Sequence, residues 1–232
     1  MAKDDPHHKS KGFRLFVALV TILLPQAVKR LLLNELLGYR IHATARIGLS
    51  LIYPKHLIMG GNSRIGNLNY CKNLSLLSIG ECSLIGNLNW ITAIPTEASA
   101  FRDEKGRAPR LELGNHAAIT NRHLIDCCNQ VSIGNYSTLA GFRSQILTHA
   151  IDLKASKQVS APVSIGDYCF VGTNVVVLAG STLPDRSVLG ASAFLAESFQ
   201  DDYMLYAGVP AKPIKKLDVD YCYFERIDGF VL

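Results

Sequence analysis

Between Val163 and Leu195 an aliphatic residue returns every six positions: Ile165, Val171, Val177, Leu183, Leu189 and Leu195. Four residues after most of them stands a small or β-branched side chain, namely Cys169, Val175, Ser181, Ser187 and Ala193. Glycine follows directly at Gly166, Gly172 and Gly190. A period of six suits neither an amphipathic helix nor an alternating strand. It is the mark of stacked repeats. The same spacing appears earlier at Ile41 and Ile47, at Ile65 and Cys71, and at Ile79, Ile85 and Ile91. It resumes at Leu113, Ile119 and Ile125, then at Ile133 and Leu139, with a slip of two residues between Cys71 and Ile79. Residues 95–110 and roughly 150–162 interrupt it and read as inserted loops.

Each hexad predicts a short strand and a turn. The aliphatic residue points inward, and the glycine after it permits a tight or left-handed turn. One coil cannot bury its own core, but stacked coils bury a continuous aliphatic column, at about 1.5–3 kcal/mol per fully buried side chain. Three hexads per turn give an all-β parallel β-helix of about seven coils. The chain divides into an N-terminal polar tail and helical segment (1–40), the β-helix (41–200) and a C-terminal extension (201–232).

The N-terminal segment departs from this pattern. Residues 1–12 are polar, and ten of the twelve residues from Phe13 to Leu24 are apolar. A second helical pattern covers Val28–Leu37, and Gly38 suits a helix end. Three placements fit residues 13–37: a helix packed on the repeat body, a basic amphipathic helix in a membrane interface, or a membrane anchor. The continuous apolar run is short for a span, and no convincing cleavage site follows it.

Composition narrows the picture further. A hydrophobic content of 48% with 19% charged residues over 232 positions describes a folded chain. The net charge of +5 is compatible with an anionic ligand or a membrane surface. No basic run interleaves with aromatics, which argues against nucleic acid. The six cysteines form no C-x-x-C pair. They read as reduced packing residues of a cytoplasmic protein, one that can associate with the inner face of the cytoplasmic membrane.

Three segments carry a family resemblance: SQILTHAIDL (144–153), PVSIGDYCFVGTNVVVLAGSTLPDRSVLGA (162–191) and YAGVPAKPIKK (206–216). Together with the hexads of 41–216 they resemble the left-handed parallel β-helix acyltransferases, the hexapeptide-repeat superfamily. Within it they are similar to the sugar O-acetyltransferases of bacterial surface-polysaccharide pathways. Val209 stands where Asn is common, and Pro184 replaces a frequent glycine. The resemblance implies a left-handed helix, a homotrimer, acetyl-CoA as acyl donor in a cleft between neighbouring subunits, and a saccharide acceptor, lipid-linked or nucleotide-linked. It also implies that His149 is the general base that takes a proton from the acceptor hydroxyl.

Other candidates follow from register and chemistry. An offset of 20 residues between coils places Asn129 beneath His149, where it would fix the imidazole tautomer, with Asp152 as an alternative. His123 and Asp126 form a polar pair that would line the acceptor pocket or stand in a solvated turn. Ala179 and Gly180 leave room for a narrow pantetheine arm. Lys212 and Lys215 would meet coenzyme A phosphates or form a solvated tail. Arg102 and Arg107, in the first inserted loop, would recognise the acceptor. No resident metal is expected. A zinc lyase of the γ-carbonic-anhydrase kind needs a histidine pair with four residues between, whereas His116 and His123 have six. A non-catalytic structural or binding β-helix is the remaining alternative.

Overall fold

The structure, a computed structural model, describes residues 9–101, 103–229 and 231. Its body is a left-handed parallel β-helix with three faces. Face A stacks seven strands, from Arg40–Ile41 to Thr182–Leu183. Face B runs from Arg46–Ile47 to Val188–Leu189, and face C from Leu51–Tyr53 to Phe194–Leu195. Within each face neighbouring coils pair in parallel, with the aliphatic positions aligned, as in Ile125 with Ile91 and Ile146. Every aliphatic position of the 163–195 run is buried, and the earlier hexad positions join the same core. Cys71, Cys127 and Cys169 sit in that column, and all six thiols are free.

The glycine after each inward residue has a different task from the one the hexad suggests. The left-handed conformation falls two residues later, on side chains such as Asn62, Cys82, Tyr136 and Tyr168. At Gly80 the constraint is contact between coils. A Cβ there would lie 2.4 Å from the Gly114 carbonyl oxygen of the next coil.

Two helices close the first coil. Helix α1 (Lys11–Thr21) starts at Ser10, whose hydroxyl accepts from Phe13 N. Helix α2 (Gln26–Leu37) ends at Gly38, which takes φ +67°. Val17, Leu33 and Leu37 enter the core. Buried Lys29 donates to the carbonyls of Ile47 and Gly48, satisfying the open edge of that coil. The outward side of α1 exposes Phe16 (63%), Leu19 and Val20, and Leu23 in the turn after it is 82% exposed. Among the described residues, no helix is long and apolar enough to cross a membrane.

At the other end, Met204–Gly208 adds to face B and pairs with Ala211–Lys216 as an antiparallel hairpin. The chain then turns back down one corner of the body. His116, Tyr136 and Tyr168, from successive coils, stack there with nearly parallel rings 4.7–4.8 Å apart. The Arg226 guanidinium lies over Tyr136 and Tyr168 and donates to the Tyr136 carbonyl. Gly229 presses on the backbone of His116, where a Cβ would meet its carbonyl at 2.6 Å.

Both long insertions leave the body at the corner between faces C and A. Residues 95–110 form a loop with a short 3-10 turn, Ser99–Phe101. The second insertion is an antiparallel hairpin, His149–Asp152 with Lys157–Ser160. The two are joined. Asp103 and Lys157 form a salt bridge at 3.0 Å, and the Glu104 carboxylate accepts from the Ser160 backbone and hydroxyl.

Candidate active site

His149 opens the hairpin at the C–A corner, and its side chain is 35% exposed. Its Nδ1–H donates to Asp126 Oδ2 at 2.6 Å. That bond fixes the tautomer and leaves Nε2 as the acceptor nitrogen. Asp126 belongs to the coil below and its side chain is 9% exposed. Its Oδ2 also receives Thr148 N at 2.9 Å and Thr148 Oγ1 at 3.1 Å. Its Oδ1 receives Cys128 N at 3.1 Å. Burial works against the carboxylate charge, but the hydrogen bonds from Cys128, His149 and Thr148 outweigh it and hold the carboxyl below its ordinary value.

Two more groups complete the surroundings. Phe101, from the first inserted loop, meets the imidazole edge-on at 6.1 Å between ring centres. Cys128 is buried and accepts from Ile94 N at 3.2 Å, while burial and the adjacent Asp126 push its thiol up to about 12. The ligating atoms of Asp126, Cys128 and His149 lie within 4.8 Å of one another. A cation there would have to displace the proton of the Asp126–His149 hydrogen bond, and it would meet a thiol held protonated.

The structure brings together His149 and Asp126 and gives other candidates different partners. Asn129 is not the group bonded to the imidazole. It donates from Nδ2 to Ser160 Oγ at 3.0 Å, and its backbone N–H goes to Thr148 Oγ1. Register accounts for only one residue of the difference: on face C the offset between these coils is 21, Ile125 to Ile146, because the step from Leu139 to Ile146 spans seven. The rest comes from the His149 side chain, which turns back to Asp126, the residue paired with Leu147. Asp152 accepts from the N–H groups of Lys154 and Ala155 and shapes the hairpin turn.

His123 points into the body. It is buried, its Nδ1 accepts from Ser144 N, and its Nε2 meets Thr120 Oγ1 at 2.9 Å. Burial lowers its pKa to about 4, so it is a neutral member of the core. Arg107 turns inward as well. It donates to the carbonyls of Ile94, Cys128 and Pro95 and lies over the Phe101 ring at 4.2 Å. It therefore clamps the loop that carries Phe101. Arg102 lies outside the described residues.

Ala179 and Gly180 follow Leu178, which pairs with Leu147, so they sit one coil above His149 at the same corner. Gly180 takes φ +81° and its N–H donates to the Pro162 carbonyl. Lys212 and Lys215 are exposed on the terminal hairpin of face B. Cys128, Thr148, Phe101 and Glu104 carry no signal in the hexad pattern. Phe101 and Glu104 gain their place from the first insertion, Cys128 from the turn after Leu124–Asp126, and Thr148 from the residue before the second insertion begins.

No family model matches the chain. Over 169 residues, 72% of its length, it is 26% identical to the probable acetyltransferase Rv3034c of Mycobacterium tuberculosis, covering 54% of that protein. Over 65 residues, 28% of its length, it is 32% identical to the galactoside O-acetyltransferase of Escherichia coli, covering 32% of that enzyme. The chain thus spans about half the length of the first relative and a third of the second. The crystal structure of the hexapeptide-repeat acetyltransferase VCA0836 of Vibrio cholerae, complexed with acetyl-coenzyme A, has the same fold. The likeness has a TM-score of 0.52 at 19% identity and covers 90% of this chain and 87% of that one.

Proposed function

We propose that this hexapeptide-repeat protein is an acetyl-CoA-dependent O-acetyltransferase acting on a saccharide of a surface-polysaccharide pathway. The observation that carries the reading is the 2.6 Å bond from His149 Nδ1–H to the buried Asp126, which leaves Nε2 able to accept a proton. The acceptor hydroxyl gives its proton to Nε2 as its oxygen attacks the thioester carbonyl. The C–S bond then breaks, and the coenzyme A sulfur leaves with the proton returned from the imidazole. A thioester is already activated, so no acyl-enzyme is required. Base assistance contributes roughly 10²–10⁴-fold.

The donor arm would pass Ala179 and Gly180, one coil above the imidazole. The galactoside specificity in the name of one relative supports a sugar acceptor. A homotrimer is supported by exposed apolar side chains along the B–C corner and face C, among them Leu68, Leu88, Phe142 and Trp90. Light scattering reads this directly, and a monomer would remove that part. The exposed side of α1 supports contact with the inner face of the cytoplasmic membrane.

The test is release of free thiol from acetyl-CoA in the presence of candidate glycans, with product mass confirming the acetyl ester. The wild type should turn over and His149→Ala should lose at least about 10²-fold in kcat. Undiminished turnover in a folded His149→Ala protein would end the proposal.

A further inference from the structure

The C–A corner holds a second feature, separate from His149. Between the N-terminal end of α1 and the corner turns of the first three coils lies a cavity of about 280 Å³. Lys11, Arg14 and Lys55 line it, with Asn73, Thr96 and Glu97. Three cations therefore face one carboxylate. Among the described residues, the Lys55 and Lys11 ammonium groups and the Arg14 guanidinium are in no salt bridge.

Two lining residues also carry unmet hydrogen-bonding atoms. Among the described residues, Arg14 Nε is a buried donor without an acceptor, and Asn73 Oδ1 is a buried acceptor without a donor. The Asn73 amide is not simply reversed, because its Nδ2 donates to the Ala93 carbonyl at 3.0 Å. Unsatisfied buried groups of this kind point to a missing partner. The partner must be anionic for the guanidinium and ammonium groups and must bring a hydroxyl donor for the amide oxygen. A phosphate ester of a sugar meets both demands.

We propose that this cavity binds a sugar phosphate. The assignment stands on the cavity itself. Its link to the acceptor rests on the transferase reading. Lys72, beside Asn73, is three strand steps from Leu147, through Thr92 and Asp126. At 4.7–4.9 Å per step that is roughly 14 Å. The phosphate and the acetylated hydroxyl then belong to different sugar units of one glycan, both held along a single corner. The same phosphate chemistry occurs in soluble glycosyl phosphates and in lipid-linked ones, and the exposed side of α1 adjoins the cavity.

The experiment is calorimetry of the full chain with glucose 1-phosphate, inorganic phosphate and glucose, without acyl donor. Glucose 1-phosphate should bind saturably and at least about tenfold tighter than glucose. Lys55→Glu and Arg14→Gln should each weaken it about tenfold or more, with circular dichroism unchanged; if Lys55→Glu is misfolded, Lys55→Gln replaces it. Absence of binding by either phosphate, or binding indifferent to both substitutions, overturns the proposal. Phosphatidylglycerol vesicles, set against phosphatidylcholine ones, then assign the source. Competition with glucose 1-phosphate marks a lipid-linked ligand and its absence a soluble one, and both keep the phosphate assignment. Acetyl transfer to an unphosphorylated glycan is measured separately, so failure of the cavity and failure of the transferase reading are distinct results.

Discussion

Replacing Asp126 with Asn exchanges one carboxylate oxygen for an NH₂ group and sets the geometry against itself. In the wild type, Oδ2 receives three donors, from His149 Nδ1, Thr148 N and Thr148 Oγ1, and Oδ1 receives Cys128 N. An amide has only one oxygen. If its NH₂ faces His149, it also faces Thr148 N–H, and the imidazole must accept at Nδ1. The proton then moves to Nε2 and the base is lost. If its NH₂ faces Cys128 N–H instead, a donor meets a donor in a buried place. The first arrangement costs catalysis, and either costs about 1–3 kcal/mol of stability for the unmatched group. With the NH₂ facing His149, kcat should fall roughly 10²–10⁴-fold; with it facing Cys128, kcat should hold. In both cases the KM for acetyl-CoA should be little changed and thermal denaturation a few degrees lower. Steady-state thiol release and calorimetric melting read the two effects separately. A folded Asp126→Asn protein whose kcat stays within about threefold of wild type while ¹⁵N NMR shows the His149 proton moved to Nε2 would refute the argument that this tautomer makes the base.

Two further predictions concern the body. His123 is neutral in the fold, with its pKa lowered from 6.5 to about 4. The unfolded chain therefore binds the extra proton first, and stability should fall as pH drops from about 6.5 to 4 and level off below. The loss is on the order of 3 kcal/mol; denaturant titrations of wild type and His123→Gln across that range would show it, and parallel curves would count against it. Gly80→Ala would force a Cβ to 2.4 Å from the Gly114 oxygen. We expect a loss of about 1–3 kcal/mol from overpacking, and an unchanged melting temperature would contradict the contact role given to that glycine.

The body was legible in the hexads because each inward aliphatic must recur at the same angular position on every coil. Turns between faces A and B keep six residues throughout, from Ile41–Ile47 to Leu183–Leu189, so the pattern never drifts there. The site was legible only in part. His149 was marked by its segment, but its partner was not: one additional residue between Leu139 and Ile146 moves the register by one, and the imidazole then turns back to Asp126, beneath Leu147. Period counting averages over such a shift. The roles of Arg107 and Phe101 were hidden for another reason. A polar, Pro- and Gly-containing loop has no periodicity, and only its packing on the hairpin decides that Arg107 points into the protein. His123 misled because a histidine beside an aspartate reads the same whether it lines a pocket or fills one.

The returning C-terminal segment bears on how the stack comes apart. In a solenoid each coil touches only its neighbours, so terminal coils fray independently and unfolding proceeds as a chain of nearest-neighbour steps. Here residues 223–229 bridge non-adjacent layers. Gly229 lies on His116 in the fourth coil, Arg226 ties to Tyr136 in the fifth, and Tyr223 ties to Cys169 in the sixth. The sixth coil cannot peel away while that segment still holds it to the fourth. Melting of the top of the column is therefore coupled to the middle, where His149 and Asp126 reside, and a protein built from repeats acquires the cooperativity of a single folding unit.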